Sequence, residues 1–135
     1  MWPGRILLKG VLSAEDAAQA VRFGADGLIV SNHGGRQLDG AVAPLQVLPA
    51  IVRACPGVPV MMDSGLRRGS DVLKALALGA DFVFVGRPFN YAAAVAGEAG
   101  VLHAINLLLQ ELRRNMAMLG VTDLQSLDEH FLLKI

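Results

Sequence analysis

Two three-residue strings, Gly24-Ala25-Asp26 and Gly79-Ala80-Asp81, hold the same place in two copies of one pattern. Each closes a helix-like stretch and leads directly into an apolar run. Such a repeat predicts a chain built from a strand–helix unit used more than once, which excludes all-helical and all-β folds. Four apolar runs read as strands, over 6–9, 27–30, 58–62 and 82–85. They lack polar alternation, as strands do when both sheet faces are covered. Helical patterns lie between them. Ser13 is an N-cap before Glu15 and Asp16, and that helix runs to Phe23. A second spans Pro44 or Leu45 to Ala54, disturbed by Pro49, and a third runs from Gly69-Ser70-Asp71 to Leu78. Strands alternating with helices are parallel and joined by right-handed crossovers. Two architectures satisfy this, an open doubly wound sheet and a (β/α) barrel, and in both the chemistry collects at the carboxyl ends of the strands. Here those ends carry Lys9, His33 with Arg36, Asp63 to Arg67, and Gly86-Arg87. One edge shared by all four fits a barrel better. Eight strands need about 250 residues, and the 135 residues present form a single unit, half of a barrel. Leu102, Ile105, Leu108, Leu109, Leu112, Met116 and Leu119 then recur at helical spacing in a tail closed by Gly120, with Thr122-Asp123 capping a last turn to Leu127. The tail reads as structural cover.

Composition narrows the function classes. The chain is 53% apolar and 18% charged, which excludes disorder. Twelve basic residues balance twelve acidic ones, so no field steers nucleic acid and no lysine run marks a membrane surface. Cys55 is alone and forms no internal disulfide. No uninterrupted apolar stretch reaches bilayer length, and Met1-Trp2-Pro3-Gly4 does not resemble a signal peptide. A cytoplasmic location is expected. The mean hydropathy of +0.47 predicts apolar surface that meets a partner or a missing piece.

The polar strand ends carry the chemistry. Gly27-Leu28-Ile29-Val30 runs straight into Ser31-Asn32-His33-Gly34-Gly35-Arg36. An imidazole moves protons near neutral pH, and a guanidinium three residues on holds a carboxylate through two hydrogen bonds. A base beside an anion clamp predicts chemistry on a small organic acid. Gly65 and Gly86 allow close backbone approach and Arg67 and Arg87 supply charge, a pattern suited to phosphate. The alternative is two surface arginines beside turn glycines, and Arg68 is the solvent-facing member of its pair. Lys9 either snorkels to water or sets a fixed positive charge against a cofactor ring that gains electrons. Asp63 is a turn residue, or it bonds a polyol hydroxyl or orients an arginine. No second ligand stands near His33 at metal spacing, and His103 and His130 read as structural.

Leu8-Lys9-Gly10, Ser31-Asn32-His33-Gly34-Gly35-Arg36-Gln37-Leu38-Asp39, Asp63-Ser64-Gly65-Leu66-Arg67-Arg68-Gly69 and Val85-Gly86-Arg87-Pro88 stand in the order found in one family. From Trp2 to about Leu133 the chain resembles the FMN-dependent 2-hydroxy acid dehydrogenases and oxidases, which include L-lactate dehydrogenase, glycolate oxidase and mandelate dehydrogenase. The resemblance implies a TIM barrel of which this chain supplies the last four strands and the closing helices. It implies His33 as the base, Arg36 as the carboxylate holder, and Lys9 as the charge beside N1/O2 of reduced FMN. Ser31 would lie near the flavin pyrimidine edge. Asp63, Ser64, Gly65, Leu66 and Arg67, with Gly86 and Arg87, would hold the ribityl phosphate. It implies a small 2-hydroxy acid substrate, lactate- or mandelate-like, and leaves open the electron acceptor, the choice of dehydrogenase or oxidase, and the choice between hydride and carbanion routes. Ser64 and Gly69-Ser70-Asp71 look slightly more like the dehydrogenases. The family's first four strands carry substrate-holding tyrosines and an aspartate that orients the histidine; they are absent, so a truncated gene, partial read or deliberate fragment is expected. Such a piece is expected to pair with itself or with an N-terminal half-barrel, with the possibility of residence at the inner face of a membrane.

Overall fold

The computed structural model describes residues 2–133, so Met1, where the expected truncation falls, lies outside the described residues. Four strands alternate with four helices: β1 (Leu7–Val11), α1 (Ala14–Arg22), β2 (Gly27–Val30), α2 (Pro44–Ala54), β3 (Val60–Met62), α3 (Gly69–Ala77), β4 (Phe82–Val83) and α4 (Arg87–Leu119). Short 3₁₀ turns occupy His33–Gly35, Leu124–Ser126 and Glu129–Phe131. The sheet order is β1-β2-β3-β4 and every pairing is parallel. A doubly wound sheet reverses its order at a switch point, and this one does not. The architecture is part of an α/β barrel.

The repeated Gly-Ala-Asp does the same work twice. Gly24 and Gly79 both adopt φ +96°, ending their helices left-handed. The amides of Ala25 and Ala80 bond back to Ala20 and Ala75, both at 3.0 Å. Asp26 and Asp81 then accept the amides of Ile6 and Val60 at 2.7 and 2.8 Å, each pinning the entry of the neighbouring strand.

β2 is wholly buried because it is flanked on both edges and covered by helices; Leu28 and Val30 meet Leu48, Ile51, Val60 and Met62 in the core. A smaller cluster joins Leu73 and Ala77 to Val121 and Leu127. Among the described residues β1 and β4 each have one strand partner, and there Leu7, Leu8, Phe82 and Phe84 stay exposed, with the two phenylalanine rings packed edge-on at 5.1 Å. This is the apolar surface expected from the hydropathy. β3 is shorter than the run 58–62, since Val58 bonds the Cys55 carbonyl in a turn and Pro59 has no N–H to give.

The tail helix starts well before Leu102, at Arg87, and bends where Ala96 (φ −148°) and Gly97 (φ +54°) leave helical geometry. This helix revises the expectation that no stretch reaches bilayer length. By length and composition it is long and apolar enough to cross a membrane, with a mean hydropathy of 1.5 over its best 18-residue window. The reading by apolar runs missed it because Glu98, His103 and Asn106 interrupt the run, while the aliphatic residues around them keep the window's mean high.

α3 and α4 touch at Gly69. A Cβ there would sit 2.5 Å from the Leu112 backbone nitrogen and 2.8 Å from the Glu111 carbonyl carbon. Gly69→Ala is therefore expected to destabilise the chain by roughly 1–3 kcal/mol. An unchanged urea midpoint for this variant would show that the helices separate freely.

Candidate flavin and hydroxy acid site

All four strands deliver their polar ends to one mouth. A cavity of about 510 Å³ opens there, lined by Lys9 from β1, His33 and Arg36 after β2, and Asp63, Ser64, Gly65, Leu66 and Arg67 after β3. Gly86 and Arg87 line it after β4. The volume suits a cofactor or small-molecule site. Ser31 stands behind this surface with no exposure.

A charged network forms the floor. Lys9 Nζ lies 2.9 Å from Asp63 Oδ2 and donates to Ser31 Oγ at 3.0 Å. Lys9 thus does not simply snorkel to solvent, and Asp63 orients a lysine rather than an arginine. Burial pushes the Asp63 carboxyl up, but hydrogen bonds from Ser31, Lys9 and Ser64 and the Lys9 charge outweigh it, holding the group below the ordinary carboxylate value. A lowered folded-state value contributes stability that is present above the unfolded value and lost as pH falls through the folded one. The thermal midpoint of the wild-type chain is expected to exceed that of Asp63→Asn at neutral pH. The two should converge on acidification below the carboxylate range. A gap that persists in acid would contradict this charge assignment.

His33 opens the 3₁₀ turn and Arg36 follows its last residue. His33 adopts φ +57°, a conformation that histidine tolerates better than most residues. A Cβ on Gly10 would lie 2.8 Å from His33 Cε1, so the ring packs against the β1 backbone at the bulge that follows Lys9. Gly10 is a site residue that the sequence reading quoted without giving it a role; its signal was a glycine directly after a strand-end lysine. Arg36 is exposed at the mouth, and its amide bonds the His33 carbonyl at 3.4 Å. Asn32 also escaped notice. Its Nδ2 donates to the Val42 carbonyl at 3.3 Å, while its Oδ1 is buried with no partner among the described residues.

The anion-binding side is built from β3 and β4. Cβ atoms on Gly65 or Gly86 would meet nothing within 4 Å, so the backbone is open to a ligand at both places. Gly86 caps α4 with no side-chain hydrogen bond; Pro88 has no N–H and the Phe89 and Asn90 amides bond the Gly86 carbonyl, so the Arg87 amide is the first-turn donor left for an anion. The start of α3 does not offer its donors. The amides of Arg67 and Arg68 both bond Asp71 Oδ2 at 2.9 Å, and that of Gly69 bonds Glu111 Oε2 at 2.9 Å. Arg68 turns away from the mouth to Glu111, at 2.6 Å. Arg87 Nη2 donates to the Gly34 carbonyl at 3.3 Å, spanning from the β4 end to the histidine turn. Open backbone, two arginines and an uncapped helix start fit a phosphate ester, and the Lys9 ammonium in the floor fits a flat ring that gains electrons. The residues present fit FMN.

Comparison with known proteins agrees with that geometry. A family model described as FMN-dependent dehydrogenase matches residues 1–134. The L-lactate oxidase of Nostoc sp. is 53% identical over 96% of this chain and 36% of its own length. The (S)-mandelate dehydrogenase of Pseudomonas putida is 51% identical over 98% of the chain and 33% of its own length. A high-resolution structure of an (S)-mandelate dehydrogenase mutant superposes with a TM-score of 0.95 at 49% identity, covering 99% of this chain and 38% of the other. Another solved (S)-mandelate dehydrogenase, with the same score, is described as a monotopic membrane protein. The chain thus spans about a third of the length of the curated relatives it matches. A parallel part-barrel with one polar mouth, matched along nearly its whole length by that family model, belongs to the FMN-dependent dehydrogenase family.

Proposed function

We propose that this chain carries the FMN-binding and acid-binding part of an enzyme that oxidises a lactate- or mandelate-like L-2-hydroxy acid to the 2-keto acid. The observation that supports it most is the meeting of His33, Arg36, Lys9 and Arg87 around one cavity. Arg36 takes the substrate carboxylate through its guanidinium fork, which fixes where the hydroxyl-bearing carbon lies. His33 accepts a proton from the substrate as that carbon is oxidised. Lys9, fixed by Asp63 and Ser31, would set a positive charge against the flavin ring that gains electrons. Asp63, Ser64, Gly65, Leu66 and Arg67, with Gly86 and Arg87, would hold the ribityl phosphate, and Ser31, bonded to Lys9, would lie near the flavin pyrimidine edge. Bound FMN supplies the two-electron acceptor.

Mixing the chain anaerobically with FMN and L-lactate or L-mandelate tests this reading. Loss of the oxidised-flavin spectrum is expected with one of the two acids. A second reading has one observation in its favour, the free sheet edges at β1 and β4: the chain binds FMN and does not turn over until further strands close the barrel. Saturable binding without bleaching supports that reading. We propose that such strands come from a second copy or from an N-terminal half-barrel, and a stable monomer in sedimentation at high concentration would contradict self-pairing. Association with a membrane, as in the monotopic relative, is proposed as peripheral and would show as co-sedimentation with vesicles.

A further inference from the structure

His33 is held by its backbone. Its own amide donates to Ser31 Oγ at 3.1 Å, and the next amide, Gly34 N–H, donates to Ser64 Oγ at 3.0 Å. The two peptide groups that flank the histidine therefore end on two serine hydroxyls, which lie 3.5 Å apart. Both hydroxyls are pre-set as acceptors. Ser64 Oγ donates to Asp63 Oδ1 at 2.8 Å, and Lys9 Nζ donates to Ser31 Oγ at 3.0 Å. With the Ser64 proton drawn to the carboxylate and the Ser31 oxygen already turned to a donor, serine lone pairs face the amides. Ser64 itself sits at φ +75°, a strained conformation for a residue with a Cβ. Glycine would fit that backbone with less strain but would carry no hydroxyl.

We infer that Ser31 and Ser64 form a clamp that fixes the backbone of His33 in its left-handed conformation, which gives the Ser64 hydroxyl a positioning role for the base. Arg87 secures the far side through the Gly34 carbonyl. The strain at Ser64 is retained because its hydroxyl has work that no glycine can do. The clamp couples two strand ends: Asp63 and Lys9 aim the hydroxyls, the hydroxyls hold the amides, and the amides set the angle at which the imidazole leaves the turn. The inference rests on His33 being the base.

The test compares Ser64→Gly and Ser64→Ala with the wild-type chain. Glycine relieves the left-handed backbone and alanine does not, while both remove the hydroxyl. In the wild type, Gly34 amide exchange is expected to be at least about tenfold slower than in either variant, because a hydrogen-bonded amide exchanges only on opening. Ser64→Gly is expected to keep or raise the thermal midpoint. It should nevertheless reduce flavin with substrate at least about tenfold more slowly at saturating FMN, with the substrate concentration at half-saturation unchanged. A serine that served only the backbone would give the opposite pattern, with the glycine variant as fast as wild type. Equal Gly34 exchange in all three proteins, or reduction rates that follow the thermal midpoints, would overturn the clamp. If the wild-type chain bleaches no flavin, the enzyme reading fails while the exchange at Gly34 still decides whether the clamp exists.

Discussion

His33→Asn is expected to slow substrate-dependent flavin reduction by about 10²–10⁴-fold, the usual contribution of a positioned general base, and to leave FMN affinity near that of wild type. Asparagine is the informative replacement because residue 33 sits at φ +57°, which asparagine tolerates, and because its amide takes no proton near neutral pH. The Ser31 and Ser64 bonds run to backbone amides, so the turn is retained and the loss is confined to proton transfer. Anaerobic stopped-flow mixing reads the rate, and flavin fluorescence reads the affinity. A variant that reduces flavin as fast as wild type would remove His33 from the chemistry. A parallel loss of flavin affinity would place the histidine in the cofactor cradle instead.

Arg87→Ala acts at two places. The guanidinium lines the cavity beside the open Gly86 backbone and also reaches the Gly34 carbonyl. A hydrogen bond from a charged group contributes roughly 1.5–3 kcal/mol, so FMN affinity is expected to fall by roughly 10- to 100-fold. Losing the Gly34 contact should also loosen the histidine turn, so the rate at saturating FMN is expected to drop as well. Arg68→Ala supplies the contrast: that side chain pairs with Glu111, away from the mouth, and its removal should leave FMN affinity unchanged. Equal losses for Arg68 and Arg87 would mean that general positive charge, and not the cradle, attracts the phosphate.

The strand–helix alternation was legible because it rests on local signals: apolar runs, a serine cap at Ser13, and glycines that end helices. The Gly-Ala-Asp strings showed that a unit repeats. Their job was not legible, because the Asp26 and Asp81 carboxylates bond residues 20 and 21 positions away, at the entries to other strands. The same limit governed the site. Lys9, His33, Arg36 and Arg87 announced themselves as charged groups at strand ends, whereas the role of Gly10 exists only because the His33 ring folds back onto β1. Ser64 looked like one more residue of a phosphate turn, and its occupation by Gly34 and Asp63 needed the third dimension. The first helical turns of α4 were missed because Ala96-Gly97 breaks the 3.6-residue period that marks the rest of the helix.

Titration of the chain with FMN, followed by flavin fluorescence with riboflavin as the comparison ligand, addresses the shared mouth most directly. Saturable quenching by FMN is expected, with riboflavin at least about tenfold weaker because it lacks the phosphate that Arg67, Arg87 and the start of α4 would hold. No saturable quenching, or equal affinity for the two flavins, would contradict a cofactor site at the joined ends of these four strands.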